Sequence, residues 1–403
     1  MPEKELMNVN WNYPSNIQYG PGCIKNLPAL CASLNMTKVL IISDEGLKDF
    51  EFIKNIKSSL KNSAIFSDVK ANPNGKNVTA GVKAYKQGQY NGIVCIGGGS
   101  ALDAGKAIAL MVGQDRPLWD FEDVGDNYLR VNTELMAPLI AVPTTAGTGS
   151  EVGRASVIVD DETDDTQHTK KIIFHANMLP EFVMLDPELT VALPPHITAA
   201  TGVDAFVHAF EAYCAPGFHP MAEGIALKAM ALIKDNLPLV FNDGQNIKAR
   251  GNMLVASSMG ATAFQKGLGG VHALAHPLGA MFDKHHGLLN AIILPYVVMA
   301  NKSAISNKLP ELNAILSIKH DDTSDYFDEF FTWLMDFRNR LNIPNTLAEI
   351  GIKLDSKGAD KIGELAILDA ASGGNPIAFD ANQYQTIFEN AVNGRLEVHV
   401  NWI

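Results

Sequence analysis

The sequence predicts an α/β domain followed by an all-α domain, divided between residues 193 and 194. In the first half, short apolar runs alternate with helical patterns, and most of these runs are apolar on both faces, as buried parallel strands are. After Pro194 and Pro195 the strand patterns largely vanish, and apolar residues recur every three or four positions. We therefore expect domains at residues 1–193 and 194–403, the first of them built on a doubly wound sheet.

Individual elements follow from the same periodicities. Five apolar runs are predicted as strands: 38–43, 92–96, 138–142, 155–159 and 182–185. Six stretches with helical spacing are predicted as helices: 78–87, 101–112, 198–213, 221–236, 246–263 and 271–282. The tail, 396–403, is predicted to be extended.

Composition excludes several classes of partner. The chain has 403 residues and a net charge of -12, so it has no basic surplus for nucleic acid or an anionic membrane. No uncharged apolar run reaches about 18 residues, and the first twelve residues lack the apolar core of a secretory signal. Four scattered cysteines without disulfide or metal spacing favour a reduced, cytoplasmic setting.

Two loops at strand ends indicate a nucleotide site. The glycine run 97–99 leads from a strand into a helix, where backbone N–H groups and the helix dipole favour a diphosphate. The run is not the usual dinucleotide fingerprint, because the third glycine would fall at Leu102, and a simple strand–helix turn is the alternative. The loop 143–150 is rich in glycine and hydroxyl groups. The predicted NAD-binding residues are Gly97, Gly98, Gly99, Ser100, Asp103, Thr144, Thr145 and Thr148.

Asp44 ends the first predicted strand and bears on the choice of cofactor. A carboxylate at this point can accept both ribose hydroxyls of adenosine and would repel a 2′-phosphate, so it favours NAD over NADP. The competing interpretation is that Asp44 is the N-cap of a helix starting at Glu45.

Asp204 and His208 form an i,i+4 pair in an apolar helical stretch, and His272 and His276 repeat the spacing. An unpaired carboxylate in such a stretch would be costly to bury. Five histidines fall on or just after these two helices: His208, His272, His276, His285 and His286. One carboxylate with three imidazoles suits Fe(II) or Zn(II), and the residue types do not choose between them.

Four motifs in this order resemble the iron-containing alcohol dehydrogenase family: 97–103, 143–151, 200–208 and 270–279. The resemblance runs from about residue 19 to 376. It implies a metal-dependent, NAD(H)-linked oxidoreductase that interconverts a small primary alcohol and its aldehyde. It also implies a Rossmann-like domain with a helical domain, as in dehydroquinate synthase-like folds, and a homodimer or larger homo-oligomer.

Site residues follow from the resemblance motif by motif. The metal ligands would be Asp204, His208, His272 and His286, holding Fe(II), with Zn(II) as the alternative. His276 matches a histidine beside the nicotinamide that does not bind metal. Because imidazole titrates near neutral pH, we assign it the role of proton relay.

The substrate pocket departs from many members. Phe264 matches a pocket residue, and Lys266 stands close to it where Ser-Asn or Asn-Asn is frequent in place of Gln265-Lys266. This stretch, with 171–180, looks like members that act on 4-hydroxybutyrate and succinic semialdehyde, and Lys266 could meet a substrate carboxylate. The alternatives are that Lys266 faces solvent or pairs with an acid. Ile377 stands where Arg is frequent, and nothing in the sequence explains it.

Three rival functions remain at this point. A non-redox enzyme like dehydroquinate synthase also binds NAD and metal, but the two His-containing motifs favour the dehydrogenase branch. Maleylacetate reductase is a metal-free relative, and the full ligand set argues against it. A catalytically silent NAD- or metal-binding module is the rival from outside the enzymes.

Overall fold

The computed structural model describes Tyr13 and residues 16–161, 169–321, 323–353 and 356–396. The described strands are β1 (Asn16–Tyr19), β2 (Val39–Ile42), β3 (Ser63–Phe66), β4 (Gly92–Gly97), β5 (Leu139–Pro143), β6 (Ala155–Asp160), β7 (Thr169–Phe174) and β8 (Phe182–Leu185). The helices of the same half are α1 (Leu27–Ser33), α2 (Glu51–Ser59), α3 (Gly75–Gly88) and α4 (Gly99–Met111).

Six strands form one parallel sheet in the order β1-β8-β5-β4-β2-β3. The central strands β2, β4 and β5 are buried along their whole length. Leu40 and Ile42 of β2 pack in the layer that contains α4, whereas Val39 and Ile41 pack in the layer that contains α1 and α2. Helices on both faces explain why these strands read as continuous apolar runs, and the predicted α/β domain is confirmed.

The predicted strand 155–159 is present as β6, but it lies outside the parallel sheet. β6 pairs with β7 in a separate antiparallel two-stranded sheet. Every second residue of β6 is buried, and two of the three buried side chains are polar, Ser156 and Asp160. Asp160 lies 3.0 Å from the Lys171 ammonium on β7. The distribution of apolar residues in this segment therefore does not indicate which face of β6 is buried.

The second half is helical, as predicted. Its helices are α5 (Pro195–Cys214), α6 (Pro220–Asn242), α7 (Ile247–Ala263), α8 (Gly270–Phe282), α9 (His286–Ala300), α10 (Lys302–Ile305), α11 (Leu309–Ile315), α12 (Tyr326–Arg340), α13 (Ser356–Leu368) and α14 (Ala381–Asn393). A large apolar core joins α5, α6, α8 and α9, and 17 of the 20 residues of α5 are buried. This burial places the polar side chains of α5 inside the domain.

Further predictions concern the domain division, the end of α6, the C-terminal tail and membrane-spanning helices. α5 begins at Pro195, next to the proposed division of the chain at 193 and 194. α6 continues past the predicted end at 236 and through Pro238 to Asn242. Residues 397–403 of the predicted extended tail lie outside the described part. No single helix among the described residues is long and apolar enough to cross a membrane, although the bent pair His286–Ala300 and Lys302–Ile315 together meet that length and composition.

Candidate active site

The two predicted nucleotide loops meet at the ends of neighbouring strands. Gly97 and Pro143 are register partners of β4 and β5, and the backbone N–H of Thr144 donates to the Gly97 carbonyl at 2.9 Å. A Cβ atom on Gly99 would lie 2.7 Å from Cγ2 of Thr148, so glycine allows the loops to pack this closely. The first loop then opens α4, whose N-terminal amides suit an anion.

Asp103, a predicted cofactor-binding residue, makes several contacts within the protein. Its Oδ1 accepts a hydrogen bond from the Ser150 hydroxyl at 2.5 Å, and its Oδ2 accepts one from the Val157 amide at 3.0 Å. The Lys106 ammonium lies 3.2 Å from Oδ1. Both carboxylate oxygens thus hold the second loop and β6 on α4, and cofactor binding by Asp103 stays a prediction.

Asp44 lies beside the glycine loop. Its Oδ2 is 3.0 Å from where a Cβ atom on Gly97 would be, while Oδ1 accepts the Leu47 amide at 3.1 Å. The following helix begins only at Glu51, so the helix N-cap interpretation is wrong and Asp44 caps a turn instead. Burial raises the pKa of this carboxyl. One oxygen faces the loop where an adenosine ribose is expected.

The predicted metal ligands come together inside the helical domain. Asp204 and His208 lie on α5, and His272 lies on α8; one ligand atom from each is within 4.8 Å of the others, and all three residues are buried. His286 begins α9, and its Nε2 is 3.8 Å from Oδ1 of Asp204, as is Nε2 of His272. His285, which is outside the predicted ligand set, is the N-cap of α9, and its Nδ1 accepts the Leu288 amide.

The electrostatics of this cluster suit a divalent cation. Burial holds the pKa of His272 and His286 well below the usual histidine value, so both imidazoles are neutral, which is the form that binds metal. Nδ1 of His208 and Nδ1 of His286 are buried without hydrogen-bond partners. No Lys or Arg side chain of the described chain forms an ion pair with Asp204. The donor set therefore fits Fe(II) or Zn(II).

His276 lies next to the predicted metal ligands and is not one of that predicted set. Its ring stacks on the ring of His286 with centroids 5.3 Å apart. Its Nδ1 is 2.8 Å from Oδ2 of Asp369, which follows α13. Burial alone would raise the pKa of Asp369, but His276 and the neighbouring amide of Ala371 hold it below its usual value. The carboxylate thereby fixes the orientation of the imidazole.

The two predicted pocket residues, Phe264 and Lys266, contact different groups. The Phe264 ring lies 5.3 Å from the ring of His208, beside the metal ligands. The Lys266 ammonium lies 2.5 Å from Oε1 of Glu223 and donates to the Tyr213 carbonyl at 3.3 Å. The alternative interpretation, pairing with an acid, thus describes Lys266, and the role as carboxylate anchor loses its structural support.

Comparison with known proteins covers nearly the whole chain. The family model described as iron-containing alcohol dehydrogenase matches residues 14–187, and the model of the family's C-terminal region matches residues 198–392. The chain belongs to the iron-containing alcohol dehydrogenase family. It is 33% identical over 390 residues to 4-hydroxybutyrate dehydrogenase of Cupriavidus necator, covering 94% of this chain and 99% of the relative.

Further relatives agree with this family. Alcohol dehydrogenase 4 of Saccharomyces cerevisiae is 33% identical over 380 residues, which cover 93% of this chain and 96% of the yeast protein. A crystal structure of 1,3-propanediol oxidoreductase superposes with a TM-score of 0.89 at 30% identity, covering 96% of this chain and 100% of that one. The fold described above is therefore the family fold.

Four residues at the site of this family member escaped the sequence analysis. Glu211 and Asn290 had a usable signal, since each is polar within an apolar helix and stands three or four residues after a predicted ligand, His208 or His286. The amide of Asn290 donates to Oδ1 of Asp204 at 2.6 Å. Asp369 had no such signal, because it lies 93 residues from the histidine it contacts.

The fourth residue is Lys170 on β7. Its ammonium is 3.5 Å from where a Cβ atom on Gly279 of α8 would be, between the two halves of the molecule. Burial lowers its pKa, although the carboxylates of Asp103 and Asp204 act in the opposite direction. The Lys170 ammonium has no hydrogen bond or ion pair with another residue that the structure describes. It is a cation placed between the nucleotide loops and the metal ligands.

Proposed function

We propose that the protein is a metal-dependent, NAD(H)-linked oxidoreductase that interconverts a small primary alcohol and its aldehyde. The observation that carries the proposal is the buried cluster of Asp204, His208, His272 and His286. The cluster adjoins the nucleotide loops, since Gly147 of the second loop packs on α5, the helix of Asp204. Membership of the iron-containing family supports the same chemistry.

Each part of the site has an assigned task. The glycine loop would bind the diphosphate at the N-terminus of α4, with hydroxyl groups from Ser100, Thr144, Thr145 and Thr148 around it. The Asp44 carboxylate would accept the adenosine ribose hydroxyls, which favours NAD over NADP. The four metal ligands would hold Fe(II) or Zn(II), which when bound supplies Lewis-acid stabilisation of the substrate oxygen.

His276 is assigned to proton transfer between the alcohol and solvent. Asp369 holds its Nδ1, and the ring contact with His286 keeps it next to the ligand set. Nε2 is then the atom that takes up and releases the proton. NAD(H), when bound, would supply the hydride chemistry, while these residues would orient the reactants.

Two substrate classes are compatible with the pocket. The Phe264 ring against His208 gives an apolar wall that suits a short uncharged chain. A carboxylate-bearing aldehyde such as succinic semialdehyde is the second candidate. Its support is the similarity to a 4-hydroxybutyrate dehydrogenase and the unpaired Lys170 ammonium between the two halves of the molecule. Lys170 would then take the role of carboxylate anchor that was expected of Lys266.

The test is NADH oxidation by Fe(II)-loaded and Zn(II)-loaded protein with butanal, lactaldehyde and succinic semialdehyde. We expect turnover that stops when a chelator removes the metal. Lys170→Met should abolish a preference for succinic semialdehyde and spare butanal if Lys170 binds the carboxylate, with Lys266→Met as the matched control. Stoichiometric metal without NADH oxidation by any short aldehyde would refute the proposed function.

The setting of the enzyme is also a proposal. The four cysteines are free thiols, which fits a reducing compartment and hence the cytoplasm. A homodimer or larger homo-oligomer is expected from the family resemblance. Light scattering of the purified protein measures the mass directly, and a monomer at working concentration would contradict this expectation.

A further inference from the structure

Glu211 is a buried carboxylate on α5 that the proposed mechanism does not use. It lies three residues after His208 and is 5% exposed. No Lys or Arg side chain in the described part of the chain pairs with it. Its partners lie on α8: Oε1 accepts the backbone N–H of Val271 at 2.7 Å, and Oε2 lies 2.6 Å from Nδ1 of His272.

The two ring nitrogens of His272 face different groups. Nδ1 faces Glu211, whereas Nε2 lies 3.8 Å from Oδ1 of Asp204, on the side of the other metal ligands. Burial raises the pKa of the Glu211 carboxyl to about 7. A neutral imidazole carries one N–H, and the carboxylate form of Glu211 accepts a hydrogen bond from it. The contact therefore keeps the proton on Nδ1 and leaves Nε2 as an acceptor, which lies 3.1 Å from the Asn290 amide nitrogen and can instead bind a metal.

The same carboxylate also holds α8 in place. The Val271 amide is one of the first N–H groups of α8, which have no acceptor within the helix. Glu211 supplies that acceptor, and its negative charge suits the positive end of the helix dipole. Because Asp204 and His208 lie on the same helix as Glu211, this contact fixes His272 relative to the other ligands.

We propose that Glu211 is a positioning residue of the metal centre, which sets the tautomer and orientation of His272 before the metal binds. The inference rests on the proposed function in one respect, that His272 is a metal ligand. Without the carboxylate, His272 can turn or carry its proton on Nε2, and in either state it is a poor ligand.

Glu211→Gln tests this directly. The glutamine amide can accept the Val271 N–H through its oxygen, but it then presents N–H groups to Nδ1 and forces the proton onto Nε2. We expect the affinity for Zn(II), measured by competition with a chromogenic chelator, to fall by about 10- to 100-fold. The metal-free variant should melt within a few degrees of the wild type.

Glu181→Gln is the matched control, since Glu181 is a carboxylate that accepts the Leu139 backbone N–H at 2.7 Å in the other half of the molecule. Its Zn(II) affinity should be that of the wild type. Unchanged affinity in Glu211→Gln would overturn the proposal. So would an affinity loss accompanied by a large drop in the melting temperature of the metal-free variant, since that result describes a purely structural residue.

A second measurement needs no variant at position 211. Long-range ¹H–¹⁵N correlation of histidine-labelled, Zn(II)-loaded protein reports the tautomer of each ring, and His272→Gln identifies the signal. We expect the Nδ1–H tautomer for His272, and the Nε2–H tautomer would overturn the proposal. Neither measurement needs turnover, so Zn(II) binding with the expected tautomer but no aldehyde reduction would refute only the proposed function.

Discussion

His276 and Asp369 show how one contact can give a histidine its role. The two side chains come from α8 and from the segment after α13, and they meet at 2.8 Å beside the metal ligands. A carboxylate on Nδ1 fixes the orientation of the ring, as in other histidine–carboxylate pairs. We therefore attribute the proton-transfer role to the pair.

Asp369→Asn should lower kcat for aldehyde reduction by roughly 100-fold, the scale of a general acid–base contribution. The amide can hold the ring in the wrong tautomer. Metal content, measured by atomic absorption, should stay stoichiometric because His276 is not a ligand. Asp380→Asn, at the N-cap of α14, is the matched control and should keep full activity. A kcat within twofold of wild type in Asp369→Asn would contradict this role.

Glu151 is a buried carboxyl whose titration should be visible in stability. It is 1% exposed, and its Oε1 accepts the Ser258 hydroxyl of α7 at 2.7 Å. Burial raises its pKa above the ordinary value of 4.5. The folded state therefore binds a proton more tightly than the unfolded state, so stability is highest below the unfolded pKa and falls as pH rises through the folded pKa.

Glu151→Gln should remove this loss while keeping an acceptor for Ser258. The melting temperature of the variant minus that of the wild type should grow as the pH rises above the ordinary carboxyl pKa of 4.5. Scanning calorimetry at several pH values measures the difference. A difference that is constant or shrinks with pH would show that Glu151 is not held in its protonated form.

Among the elements, the loop 143–150 joins the two halves of the molecule. Gly147 packs on Thr201 of α5, and Gly149 packs on Ala261 of α7. Gly149 has φ of +62°, and a Cβ atom there would lie 2.2 Å from the Ala261 Cβ and 2.8 Å from the Ser257 carbonyl. A loop expected to bind the cofactor is thus held by the helices next to the metal ligands.

Gly149→Ala should destabilise the protein by about 1–3 kcal/mol through overpacking against α7, with added backbone strain. It should also weaken NADH binding, measured by fluorescence titration, because the loop must shift. Gly224→Ala is the control: its Cβ atom meets nothing within 4 Å on α6, so the change should be neutral or stabilising. Equal stability and NADH affinity in both variants would contradict this account of the loop.

Elements with a strong pattern were predictable, and short or half-exposed ones were not. Buried strands such as β4 and long helices such as α7 carry continuous apolar runs or helical spacing, and their predicted ends differ from the observed ones by at most one residue. β1 and β3 were missed because they have four residues each and are partly exposed, so their pairing is fixed by the sheet rather than by their own pattern.

The site followed the same division. The ligands at i,i+4 spacing could be found because a helix places them on one face. The contacts that decide Lys266, His276 and His272 could not, because Glu223, Asp369 and Glu211 come from other elements, 43 to 93 residues away. Which acid a buried lysine or histidine meets is set by tertiary packing, which no local spacing records.

At the scale of the whole molecule, a bound metal would tie together three helices of the larger core. α5, α8 and α9 supply the four predicted ligands. Adding Zn(II) at about 100 times its dissociation constant should stabilise the fold by about 2.7 kcal/mol. We expect a rise of a few degrees in melting temperature.

Asp204→Asn and His286→Ala should lose this metal-dependent rise, because each removes one ligand. His285→Ala, a neighbouring histidine outside the ligand set, should retain it. Differential scanning fluorimetry with and without Zn(II) measures all four proteins. Identical metal-dependent shifts in every variant would place the metal elsewhere.

Metal-dependent hydride transfer from NADH to an aldehyde can be tested directly with a labelled hydride. Metal-loaded protein is given an aldehyde with NADH that carries deuterium at both hydrogen positions of nicotinamide C4, and the alcohol is analysed by mass spectrometry. With the wild type we expect one deuterium on the carbinol carbon. After chelation, or in Asp204→Asn, we expect no product. Product without deuterium, or undiminished labelled product from the metal-free protein, would contradict hydride transfer at this metal site.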